Sequence, residues 1–209
     1  MKHIYFLALF IISLPQVQAQ TYVTIPDPNF VTWLQTNVPS AMNGNQMDIT
    51  DPAVTSMTNM NVSGLSISDL SGVEHFTSLS MLNCDSNQLA GIASLPGSLD
   101  TLYCNNNQIS YFGSIPASLR MLICNNNHLT SLPVLPDSLK VLYVDNNLIA
   151  NISSLPLMLS TLSCNGNGLN SIAALPPNLR SLVCSYNNLT VLPPLPATLE
   201  TLWCHRNLL

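Results

Sequence analysis

Charge is what this sequence has least of. Only 7% of its 209 residues are Asp, Glu, Lys or Arg, against about 25% in an ordinary soluble domain. Five Lys and Arg face ten Asp and Glu, a formal net charge of −5. Basic residues form no run or patch, which excludes the electrostatic footprint of a nucleic-acid-binding protein. Asn and Ser must therefore supply the polar surface. Beyond the first twenty residues no apolar segment is long and unbroken enough to cross a bilayer. There is no C-x-x-C pair to hold a metal. No paired carboxylates converge and no Ser–His–Asp order stands out. Cys204 and His205 are adjacent on a predicted strand, so they point to opposite faces and cannot form a dyad. Asn43-Gly44-Asn45 with Asp48 lacks the sixth-position glycine and closing glutamate of a calcium loop and reads as a capping turn. The expectation is a protein that is not an enzyme and needs neither cofactor nor metal.

The first residues read as an export signal. Lys2 and His3 precede an apolar run from Ile4 to Leu14, Pro15 breaks it, and Val17-Gln18-Ala19 has the small-x-small form of a cleavage site. Residues 1–19 are thus predicted to be removed, leaving a mature chain from Gln20 or Thr21 that is secreted or held at the cell surface. A buried N-terminal helix or an uncleaved anchor is the alternative.

What the chain does have is a repeat of twenty residues. Leu79, Leu99, Leu119, Leu139, Leu159, Leu179 and Leu199 open seven rows. Three residues on, each row has another leucine, from Leu82 to Leu202. Next come Cys84, Cys104, Cys124, Val144, Cys164, Cys184 and Cys204, then an asparagine in every row from Asn87 to Asn207. Six rows close on an apolar residue and a proline, as in Leu95-Pro96 and Leu135-Pro136. A weaker copy of altered length lies upstream, around Met60, Val62, Leu65, Ile67 and Leu70. Leu102 and Cys104 alternate with Tyr103, the pattern of a half-buried strand. One such strand cannot bury its apolar edge alone, but a stack of rows can, each adding a layer of core and a strand of parallel sheet. The asparagine is expected to turn the chain out of the strand and to bond its own and the neighbouring turn. The Pro-rich return stretch is too short for a helix and is predicted to be extended or polyproline-like.

The row L-x-x-L-x-C-x-x-N-x-L-x-x-L resembles the leucine-rich repeat, and the segment LTSLPVLPDSLKVL resembles its short bacterial subclass with the L-P-x-x-L-P signature. The resemblance covers about two-thirds of the chain. IPDPNFVTWLQTNV and NVSGLSISDLSGVEHFTSL resemble the front end of secreted bacterial proteins of this family. The resemblance implies a right-handed superhelix with a parallel β-sheet on the concave face, extended convex segments and a small N-terminal helical cap. The expected organisation is a signal at 1–19, a capping segment at 20–59 and repeats over 60–209. In the cap, Asp27 reads as a helix N-cap with Pro28 in the first turn, and Asp51-Pro52 opens a second short helix. The last row stops at Asn207-Leu208-Leu209 without a polar cap, and the expectation is that the protein continues.

The cysteines share one column, so their side chains should all point into the core. Neighbouring Cβ atoms would be about 4.8 Å apart, against the roughly 3.8 Å a disulfide prefers. Val144 in the same column asks for a small apolar group. Buried free thiols are the favoured reading; disulfides stay open because exported proteins rarely keep thiols unpaired. Asn61, Asn151 and Asn188 fit glycosylation sequons, but chance matches are expected in a chain this rich in Asn and Ser.

On the strands, the residues that are not core form the predicted concave face. Its central column includes Tyr103, Ile123, Tyr143 and Trp203, with Met121 in the column before. One step out, Arg120, Lys140 and Arg180 share a rim column with Asp100 and Glu200. Large amphipathic side chains inside a charged rim are the composition of a binding patch, although Tyr, Ile and Val are also simply good strand formers. The reading is an exported binding module for a protein or glycan ligand, with no nucleic acid and no membrane span. The alternatives are a surface spacer or adhesin segment, and the repeat part of an exported effector with an enzymatic domain elsewhere.

Overall fold

The computed structural model describes residues 21–209; the predicted export signal lies outside them. The chain enters through a small capping layer. Tyr22–Thr24 pairs antiparallel with Gln46–Asp48, which pairs in turn with Met42–Asn43. Helix α1 (Pro28–Asn37) starts where expected: Asp27 accepts bonds at 2.9 Å from the N–H groups of Asn29 and Phe30, with Pro28 in the first turn. Its buried side chains are Phe30 and Leu34, one turn apart on the face toward the first row. Helix α2 (Pro52–Thr55) is a single turn capped by Asp51.

Eight three-residue strands follow in one parallel sheet, ordered as in the chain, from Asn59–Asn61 to Thr201–Trp203. The register is fixed by the repeat. Leu102 pairs with Leu122, Leu122 with Leu142, and Leu142 with Leu162, a step of twenty each time. The first step, from Met60 to Leu82, is twenty-two, which is why the upstream row looked weak in the sequence. A one-residue slip would turn every core leucine outward, so the columns enforce the register as much as they follow from it.

The core runs the length of the stack, with Leu99, Leu102, Cys104 and Ile109 and their counterparts buried in row after row. The return stretches of the twenty-residue rows contain no helix, while that of the upstream row holds one 3-10 turn at Val73–His75. Short parallel bridges join them, Gly91–Ile92 to Tyr111–Phe112 and Asn151–Ile152 to Ser171–Ile172. Each Leu-Pro or Ile-Pro pair feeds a tight turn, as where the Leu119 N–H bonds the Pro116 carbonyl at 3.1 Å. The architecture is the parallel-sheet solenoid that the row predicts.

Candidate functional site

The asparagine column has the role expected of it, with one correction. The residue that turns the chain out of the strand is the one before the asparagine. Ser86, Asn106, Asn126 and Asn146 all hold φ between 54° and 56°, the left-handed region. The buried asparagine then bonds what this turn leaves open. Asn127 Nδ2 donates to the carbonyls of Cys104, Cys124 and Asn125 at 3.0–3.1 Å, and its Oδ1 accepts the Ile109 N–H of the preceding row at 2.9 Å. The same set recurs along the stack, so each asparagine closes its own turn and clamps the row before it.

A second ladder lies on the open face of the sheet. Asp85 Oδ1 accepts the Asn105 N–H at 2.6 Å, Asn105 Oδ1 the Asn125 N–H at 2.8 Å, and Asn125 Oδ1 the Asp145 N–H at 2.7 Å. Asp145 continues to the Asn165 N–H at 2.7 Å and also receives the Ser163 hydroxyl. These acceptors satisfy strand-end N–H groups that the parallel pairing leaves free. In the sequence this column looks like polar surface; in the fold it is bonded to itself.

The structure brings Met121, Tyr103, Ile123 and Tyr143 together on adjacent strands of that face. All four are half-buried rather than exposed, since rows this close let each large side chain lie against its neighbour. The Tyr103 hydroxyl reaches Met121 Sδ at 3.8 Å. Trp203 is 60% exposed and stands three rows from Tyr143 and five from Tyr103. Arg120, Lys140 and Arg180 line the rim, all exposed. Two of them are already partnered: Arg120 lies 3.4 Å from Asp100, and Arg180 pairs with Glu200 one row on. At such exposed pairs water screens most of the attraction. Lys140 has no acidic partner among the described residues.

The thiols line the core side of the same strands. Cys84, Cys104, Cys124, Cys164 and Cys184 are buried free thiols and Cys204 is half-buried. Cys84 Sγ donates to the Tyr103 carbonyl at 3.3 Å. Burial pushes the pKa of Cys84 and Cys164 far up and that of Cys184 up to about 11. Those three thiols are therefore protonated and weakly nucleophilic. Among the described residues no three His, Cys, Asp or Glu side chains stand close enough to hold a metal ion, and no helix is long and apolar enough to cross a membrane.

The sequence reading missed Tyr186 and Arg206. Both occupy the left-handed turn column, with φ of 58° and 55°. The signal was present in the alignment of rows: every other member of that column from row to row is Ser, Asn or Gly.

Residues 117–157 match the family model of leucine-rich repeats in two copies. No curated protein sequence matches the chain. Among solved structures, YopM from Yersinia enterocolitica is similar at 30% identity and a TM-score of 0.57, over 74% of this chain and 39% of its own. A Shigella effector leucine-rich-repeat domain is similar at 30% identity and a TM-score of 0.61, over 66% of this chain and 62% of its own. The functional domain of InlJ from Listeria monocytogenes, which includes a cysteine ladder, shares the fold at 23% identity and a TM-score of 0.66, over 92% of this chain and 49% of its own. The chain thus spans between 39% and 62% of the length of these three.

Proposed function

Because this chain is a leucine-rich-repeat protein, we propose that it is an exported module that binds another protein across the concave face of its parallel sheet. One observation carries the reading: Tyr103, Ile123 and Tyr143 form a continuous half-buried strip on three adjacent strands, with the unpaired Lys140 beside it. Such side chains have already lost much of their freedom in the unbound protein, so a partner that covers them gains area at a small further entropic cost. The polar column beside the strip is bonded to itself and asks nothing of a ligand, which suits a partner held by shape and apolar area. Export rests on the apolar run and small-x-small site of residues 1–19.

The test is capture of a partner from the natural surroundings of the protein, followed by measured affinities for variants. Tyr143→Ala is expected to weaken binding by about 1–3 kcal/mol. Since the ring is half-buried, a stability measurement must accompany it, and any loss there should be smaller than the loss of affinity. Arg120→Ala should act mainly on association rate and salt dependence. Ser114→Ala, exposed on the return side, should leave binding unchanged. Unchanged binding by the tyrosine variants, with loss on changing return-side residues, would refute the concave face. A spacer role is favoured by the same self-bonded polar column, and it predicts that no partner is captured at all.

A further inference from the structure

The left-handed turn column is conformationally expensive for most residues. An L side chain with φ near +55° crowds its own carbonyl, and only Gly, Asn and, less readily, Ser accept this easily. Asn126 and Asn146 even gain from it, donating to the asparagine of the row before at 2.9 Å. Tyr186 and Arg206 sit at the same backbone angles and make no such bond. Bulky residues kept in a strained conformation point to a use for the side chain.

What the side chains do instead is gather. Tyr186 is 56% exposed, and its ring meets His205 edge-on, with centroids 5.2 Å apart. The Arg206 guanidinium lies over that ring, 5.4 Å from its centre. His205 Nδ1 is 3.0 Å from the Ser185 hydroxyl. With that hydroxyl donating to Nδ1, Nε2 carries the ring proton and is a second donor beside the guanidinium. Trp203, two residues before His205, lies on the same side of the strand. Arg120 and Arg180 are each matched to an acid, whereas Arg206 has no acidic partner among the described residues.

We propose that Tyr186, His205 and Arg206 form a binding site for carboxylate side chains, and that its occupant is an acidic segment of a protein partner. A guanidinium held face-on by an aromatic ring keeps its N–H edge free for a carboxylate, which it binds through two parallel hydrogen bonds. With the Ser185 hydroxyl donating to Nδ1, the imidazole that meets the same ring supplies its Nε2–H as another donor. The choice of a protein segment over an acidic polysaccharide rests on the protein-binding reading above.

The experiment uses the full chain and a fluorescein-labelled oligoglutamate peptide, followed by fluorescence polarisation at low salt. An oligoglutamine peptide and polygalacturonate serve as competitors. The wild type is expected to bind oligoglutamate, to ignore oligoglutamine, and to be displaced poorly by polygalacturonate. Tyr186→Asn and Arg206→Gln should each weaken binding by roughly tenfold, the size of one well-placed charged contact. Tyr186→Asn should also unfold at higher urea than the wild type, because it puts into the column the residue the column prefers. A residue kept only for packing would give the opposite shift. Absence of oligoglutamate binding, equal affinity in the variants, lower stability of Tyr186→Asn, or stronger retention of polygalacturonate than of the peptide would each overturn the proposal. Tyr143→Ala is expected to bind oligoglutamate as the wild type does, so loss of the concave-face reading and loss of this one appear in different measurements.

Discussion

Replacing Asn127 with alanine removes four hydrogen bonds, yet the loss of stability should correspond to one. Its Nδ2 acceptors have other donors: the Cys104 carbonyl also receives Asn107 at 3.3 Å, and the Cys124 carbonyl also receives Asn147 at 3.0 Å. The Ile109 N–H is different. It is buried, and Asn127 Oδ1 is its acceptor. An orphaned buried donor costs about 1–3 kcal/mol. At a urea m-value of about 1–3 kcal/mol/M, the midpoint should fall by about 1 M with little change in slope. The sharing of acceptors makes a further demand. Asn107→Ala and Asn127→Ala together strip the Cys104 carbonyl of both side-chain donors. The double variant should therefore be worse than the sum of the singles, by about 0.5–3 kcal/mol. Asn207→Ala should cost less, because Asn207 is partly exposed and water can reach the Leu189 N–H it leaves behind. A single variant within about 0.3 kcal/mol of the wild type would refute the ladder argument, as would strict additivity of the pair; the threshold is the usual scatter for independent sites.

Two further outcomes follow from buried groups. In native protein one thiol, Cys204, should react with a thiol reagent well before the rest, and urea without reductant should release all six; fewer than six would mean disulfides. Asp27 is buried, which by itself opposes ionisation, but donors from Ser68, Phe30 and Asn29 outweigh this and hold its pKa below the ordinary 3.8. Its share of the stability is therefore complete above about pH 4 and is lost as pH falls through the lower folded value. Asp27→Asn, which still caps the helix, should flatten the acid limb of the stability curve; an unchanged limb would assign acid unfolding to other carboxylates.

The solenoid was legible because its constraints repeat. Seven leucines at one spacing specify a strand register, and the asparagine column declares where buried backbone groups need partners. Val144 among the cysteines showed that the column selects for size rather than for sulfur. The cap was readable at Asp27-Pro28 because helix starts obey local chemistry. The candidate site was read less well. Sequence placed the tyrosines on the sheet face but not their depth, which depends on how adjacent rows share space. It could not show that Asp85, Asn105 and Asn125 spend their acceptors on the next row, since those bonds span twenty residues. Tyr186 and Arg206 stand out in the sequence as the two bulky members of a column otherwise Ser, Asn or Gly, but the cost of their backbone angle becomes visible only when the backbone is known.

The clamp made by each buried asparagine also bears on how such a chain changes over generations. Every middle row offers the row after it the same carbonyls and the same waiting N–H as its neighbours do. Deleting residues 119–138, or copying them, would join surfaces that already fit, so whole rows can be gained or lost without redesign. The first row has no such freedom. Ser68 donates both its N–H and its hydroxyl to Asp27 at 2.8 Å, forty-one residues earlier, and the step to the next row is twenty-two. The stack behaves like a polymer with one dedicated initiator and interchangeable units. Its length is therefore easily altered by recombination between rows, while the starting end stays bound to its own partner.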